Sequence, residues 1–108
     1  MTVFENDNRW DTSNVHFEHG RIISYDKSHQ TPAMRHIDYG VGAYLARAFE
    51  AWDSKTAFDL SCLQRRLLRC GQLAGFLVKE RFYEIGSLAG LKETDAMIRA
   101  LHLSDAAD

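Results

Sequence analysis

Glu84 sits between the aromatic pair Phe82-Tyr83 and the Gly86-Ser87 that opens an apolar run, within Lys79-Glu80-Arg81-Phe82-Tyr83-Glu84-Ile85-Gly86-Ser87. This spacing predicts a strand anchored by Phe82-Tyr83, a carboxylate at its end, a glycine bend and a helix capped by Ser87. In α/β proteins such a corner is where a metal and a phosphate are held. Magnesium is a hard ion that takes oxygen ligands, so a glutamate suits it chemically. The same residue can instead cap the following helix or pair with Arg81.

The five histidines invite a metal reading, above all His16, His19 and His36 beside Asp38. They lack a compact ligand pattern on one element, and hydrogen-bonded or solvent-facing roles fit them better. Cys62 and Cys70 fall two turns apart on one expected helix, too far for a mutual disulfide and too sparse for zinc. They read as reduced cytoplasmic thiols. With 108 residues and 45% hydrophobic content, the chain, residues 1–108, is read as a single domain with one modest core. A formal net charge of -2 argues against nucleic acid or an anionic membrane as partner, since both demand a dense basic surface. Arg65, Arg66 and Arg69 gather on one expected helix and read as a solvated face. No apolar run is long enough to span a bilayer, and no secretory leader is apparent. A cytoplasmic, unsecreted protein is expected.

The elements that must position these groups alternate between strands and helices. Met1 to Phe4 reads as a strand entered without a lead-in, which points to a missing upstream partner. Asn6 to Asn14 is polar and turn-rich, hence a surface loop. Val15 to Phe17 and Arg21 to Tyr25 form a hairpin in which Gly20 supplies a positive φ and His19 is a tolerable turn residue. Lys27 to Met34 is an irregular connector around Pro32. Ile37 to Leu45 is expected as a central strand, with Gly40 and Gly42 marking a bulge, the close approach of a ligand, or relief of packing. Ala46 to Trp52 favours a short helix. Asp59 as N-cap, leucines at 60, 63 and 67 and Gly71 as stop define an amphipathic helix from Leu60 to Cys70. Leu73 to Lys79 returns as a strand. A last helix after Ser87 puts Leu88, Leu91, Ile98 and Leu101 on one side, and Asp105 to Asp108 should fray.

In their order along the chain, Met1-Thr2-Val3-Phe4-Glu5-Asn6-Asp7-Asn8-Arg9-Trp10, Tyr25-Asp26-Lys27, His36-Ile37-Asp38-Tyr39-Gly40 and the Glu84 corner resemble the C-terminal half of a sugar-1-phosphate nucleotidyltransferase. The resemblance covers nearly the whole chain. It implies an α/β fold, a mixed sheet with flanking helices equivalent to the second half of a doubly wound nucleotidyltransferase domain. It also implies the site. Asp26 would read sugar hydroxyls, Lys27 would hold the phosphate of a sugar 1-phosphate, and Asn14 would lie in the loop packed on the sugar. Asp38 and Gly40 would line the pocket floor, and Glu84 would ligate Mg2+. Strand alternation puts Asp38 and Gly40 on one face and Tyr39 on the other. Without the resemblance, Asp26-Lys27 reads equally as a surface ion pair and Asn14 as a local turn former. The family's glycine-rich nucleotide loop and first metal aspartate have no counterpart among these residues. The resemblance therefore implies a fragment inactive alone, with Mg2+ bound only beside a complementary half. That half would be a partner chain bearing the N-terminal segment. The alternative is a non-enzymatic, dimerising interaction or sugar-phosphate-binding module.

Overall fold

Thr2–Glu5 forms β1, and everything else in the sheet is arranged about it. The computed structural model describes residues 1–107. β2 (Val15–Glu18), β3 (Arg21–Tyr25), β4 (His36–Asp38) and β5 (Phe76–Val78) complete a five-stranded sheet in the order β3-β2-β4-β1-β5. β1 pairs antiparallel with β4, Val3 opposite Asp38, and parallel with β5, Phe4 opposite Val78. The sheet is therefore mixed. The two helices are α1 (Leu60–Arg69) and α2 (Leu88–Asp105).

Local chemistry explains the elements that formed as expected. The β2–β3 hairpin turns at His19, φ 52°, and Gly20, φ 74°, two successive left-handed residues of the kind that match strand twist. In α1 the Asp59 carboxylate accepts from the Ser61 N–H at 2.8 Å, and the chain leaves the helix through Gly71 at φ 67°. Ser87 caps α2, its hydroxyl accepting from the Gly90 N–H at 3.0 Å. α2 persists through Asp105, the first residue of the stretch expected to fray; Ala106 and Ala107 form a turn, and Asp108 lies outside the described residues.

Other expectations are corrected. The strand expected over 37–45 stops at Asp38 because Gly40, φ 90°, swings the chain off the ladder. The Thr2 N–H then bonds the Val41 carbonyl at 3.0 Å while the Thr2 carbonyl receives the Tyr39 N–H, a bulge across β1. Leu73 to Lys79 contributes only the three residues of β5 to the sheet. Ala46 to Trp52 makes a four-residue 3-10 turn, Ala46–Phe49, in place of a longer helix. No strand forms over residues 79–87. Phe82 leaves the sheet to pack edge-on against Phe4, 6.1 Å between ring centres, and against Tyr39 and Trp10. Burial of those rings outweighs the ladder bonds that the segment forgoes.

The core lies where α1 crosses the strands. Met1, Val3, Val15, Ile22 and Tyr25 pack together, with Phe17, Leu68 and Leu73 against them. Gly75 belongs to this packing, since a Cβ there would meet the Phe17 ring and the Ile22 side chain. Leu63 of α1 is fully buried. α2 is different. Its apolar side, Leu91, Ile98 and Leu101, is 44–56% exposed, and Gly90 is its one buried residue. The radius of gyration, 16.5 Å, exceeds the roughly 13 Å of a compact chain this long.

Leu63→Ala is therefore expected to cost about 3 kcal/mol of unfolding free energy, as lost burial plus an unfilled cavity. Leu91→Ala on the bare side of α2 should change it by less than about 0.5 kcal/mol. Urea denaturation of the two variants measures this, and comparable losses would show that α2 belongs to the core.

Candidate functional site

Asn14 is the hinge of the polar site. Its N–H donates to the His36 carbonyl at 2.9 Å and its carbonyl accepts from the Asp26 N–H at 3.1 Å, so its backbone joins β3 and β4. β2 and β4 then diverge, and the Asn14 side chain takes over, its Oδ1 accepting from the Asp38 N–H at 3.0 Å. Asn14, Asp26 and Asp38 are thereby brought together at one end of β2, β3 and β4. The local-turn reading of Asn14 is replaced by a cross-strand bond.

Asp38 is the most connected side chain here. One carboxylate oxygen accepts from the Gly40 N–H at 3.0 Å. The other accepts from the Tyr25 hydroxyl at 3.4 Å and from Gln64 Nε2 at 3.2 Å. Gln64 donates as well to the Tyr44 hydroxyl at 3.0 Å. Tyr25 and Gln64 are each 3% exposed, so this network is dry on its inner side. Burial first, and then the Asp38 charge and hydrogen bond, push the Tyr25 phenol well above its ordinary value. Tyr25 thus stays a donor at any physiological pH. Tyr39, the residue just past β4, packs against Phe4 and Phe82, away from the Asp38 network.

Asp26 and Lys27 do not pair with each other. Asp26 accepts from the backbone N–H of Ser28 at 2.7 Å and of His29 at 3.1 Å. Those bonds, the one from Ser28 foremost, hold its carboxyl below the usual range. The Lys27 ammonium lies 3.6 Å from Asp59, the cap of α1, and both partners are about half-exposed or more. Lys27 therefore stands at the helix start with its charge available, because an exposed ion pair of this kind is weak.

Sequence reasoning missed Tyr25, Tyr44 and Gln64 as members of the network. Gln64 carried a signal, since it interrupts the apolar face that Leu60, Leu63 and Leu67 define. Tyr44 also lines a cleft of about 890 Å³ with Leu45, Arg47, Arg66, Leu67 and Leu73, so the polar network borders a cavity of ligand size.

Glu84 lies at a different corner. Its Oε2 accepts from the N–H groups of Gly86 at 2.7 Å and Ser87 at 3.1 Å, and its Oε1 accepts from the Ser87 hydroxyl at 2.6 Å. The Glu84 carbonyl accepts from Thr94 Oγ1, and a Cβ on Gly90 would collide with the glutamate itself. Arg81 pairs with Glu93 at 2.8 Å, not with Glu84. A carboxylate offers about four lone-pair positions, and three are already engaged. Glu84 could give a cation one more, and among the described residues no group of three His, Cys, Asp or Glu is placed to hold a metal. Taken alone, the corner does not make a magnesium site.

Comparison with protein-family models, with curated proteins and with solved structures returned no match.

The Glu84 cap is pH-dependent with a defined sign. Hydrogen bonds, the Ser87 hydroxyl's foremost, lower its folded pKa below the ordinary 4.5. Its contribution is thus complete above pH 4.5 and lost as pH falls through the lower folded value. Hydrogen exchange at the first turn of α2 should accelerate between pH 5 and pH 3 beyond its intrinsic rate, scales on the order of those for a carboxylate titration. Glu84→Gln should remove that pH dependence, and a wild-type cap indifferent to acid would refute the assignment.

Proposed function

We propose that this chain carries the sugar-phosphate side of a sugar-1-phosphate nucleotidyltransferase site, in the second half of a doubly wound domain acting in the cytoplasm on nucleotide-sugar synthesis. The observation that supports it most is the convergence on Asn14, whose side-chain oxygen accepts from the Asp38 N–H and whose carbonyl accepts from the Asp26 N–H, so that three widely spaced segments, 14, 26–27 and 38–40, meet at one sheet end. These are the segments that the resemblance assigns to the sugar. In this reading Asp38 and Asp26 accept bonds from sugar hydroxyls, and Asn14 packs on the ring. Gly40 is left open: nothing lies within 4 Å of where its Cβ would be. Lys27 would leave Asp59 for the phosphate, exchanging an exposed pair for a doubly charged partner. Magnesium, when bound, would neutralise phosphate charge. Glu84 would give it one oxygen, the remaining ligands coming from phosphates and a complementary half. The nucleotide loop would come from that half as well, so the chain by itself should release no pyrophosphate.

Titration calorimetry with heptose and amino-sugar 1-phosphates tests this reading. Lys27→Ala should weaken binding by about 1.5–3 kcal/mol, the scale of a charge-assisted hydrogen bond. Its stability should hardly change, because the pair with Asp59 is exposed. Equal affinity of wild type and variant, or no binding by the wild type, would count against a sugar-phosphate site.

A second reading, a dimerising interaction module, is favoured by the open side of the fold. β5 is an edge strand whose Phe76 is 70% exposed, and α2 presents an uncovered apolar side. Such surfaces invite pairing. Sedimentation equilibrium at micromolar concentration should show self-association; a monomer throughout would leave the complementary half as the partner that covers them.

A further inference from the structure

The cleft of about 890 Å³ beside Tyr44 runs between residues 43–51 and the last turn of α1. Its two sides do not close on each other. The 3-10 turn Ala46–Phe49 buries none of its residues, Leu45 is 64% exposed, and Leu67 and Leu73 are only half-buried. Alanines at 43, 48, 51 and 74 supply much of the remaining lining, and their short side chains leave the cleft wide. An apolar cavity of this size with a few polar groups is the usual form of a small-molecule site.

The polar groups in the lining carry an uneven charge. Arg47 and Arg66 share the cleft with Glu50, and none of the three lies within 4.0 Å of an opposite charge among the described residues. Two positive charges against one negative leave one over, the complement of a monoanion. Arg66 is braced by aromatic packing: its guanidinium lies 5.2 Å from the Trp52 ring centre, and Trp52 stacks on Phe58 at 5.0 Å. A guanidinium laid on a ring keeps its N–H edge for a carboxylate. Tyr44 is fixed as well. Its ring meets Phe49 edge-on at 6.0 Å, and a Cβ on Gly42 would lie 2.7 Å from its hydroxyl, so glycine is what admits it. The Tyr44 oxygen accepts from Gln64, which leaves its proton to donate. The carbonyls ending α1 offer an anion no repulsive lone row, because those of Arg66, Leu67 and Leu68 accept from the N–H groups of Cys70, Gln72 and Gly71.

We infer that this cleft binds a medium-chain fatty acid, its alkyl chain along the leucines and alanines and its carboxylate at Arg47 and Arg66, a site separate from the sugar-phosphate reading. A doubly charged phosphate head would leave the lining negative, and an uncharged chain would leave both guanidiniums unanswered. Titration calorimetry of decanoate, below its micellar concentration, into the intact chain is the test, with Cys70 as local reporter. Cys70 lines the cleft, Cys62 on the same helix does not, and both thiols are exposed. Bound decanoate should slow alkylation of Cys70 by iodoacetamide severalfold and leave Cys62 unchanged. Arg47→Gln and Arg66→Gln should each weaken binding by about tenfold, the loss of one charge-assisted contact. Arg69→Gln removes the same charge from an exposed position of α1 outside the cleft and should leave binding unchanged. Decanol should bind the wild type about tenfold more weakly than decanoate, a comparison that needs no variant to fold. No decanoate binding, equal slowing at both cysteines, or equal affinity for decanoate and decanol would overturn the inference.

Discussion

A four-residue strand, β1, has to satisfy hydrogen-bonding neighbours on both sides, antiparallel β4 and parallel β5, and this double pairing is what the rest of the molecule depends on. A parallel neighbour cannot be reached by a tight turn. The chain makes the crossing through the long 39–75 segment, and α1 lies within that excursion, packing across β3. Val3 anchors the arrangement from the α1 face while Phe4 anchors the other. Each face of β1 thereby acquires its own chemistry: the Asp38 network on one side, the aromatic and cationic cluster on the other.

The Asp38 network rests on two side-chain amides, half-buried Asn14 and buried Gln64. Asn14 supplies the bond that β2 and β4 can no longer make once they part, and Gln64 gives Asp38 a partner inside the helix–sheet interface. A charged or amide group in such a place destabilises unless its bonds are satisfied. Here they are, and the result is a carboxylate held at fixed position beside a cavity. Tyr25, kept protonated by burial and by Asp38, reinforces that geometry.

What could be read from the residues beforehand follows the range of the forces. The hairpin at His19-Gly20, the Asp59 and Ser87 caps and the Gly71 exit were legible because each is settled within a few residues. The ends of β4 and β5 were not, because strand length is set by the partner: Gly40 leaves the ladder, and Phe82 finds aromatic neighbours from positions 4, 10 and 39. The convergence of Asn14, Asp26 and Asp38 could be expected only through the resemblance; spacing alone gave no geometry. The grouping of Arg9 with Lys79 and Arg81 around one pocket left no pattern at all, since Arg9 lies some 70 residues from the other two.

The fastening of α2 at one end sets a thermodynamic gradient across the molecule. Eighteen residues of helix stand on the Glu84–Ser87–Gly90 interlock and contribute little buried surface of their own. Helices of about this length are marginal in water when nothing covers them. α2 can therefore melt while the sheet stays whole, a subglobal opening in place of a cooperative one. Whatever docks on its bare side must first meet the conformational entropy of ordering it. Association there would be reversible and responsive to small changes in helix propensity, with secondary structure itself serving as the adjustable part of the affinity.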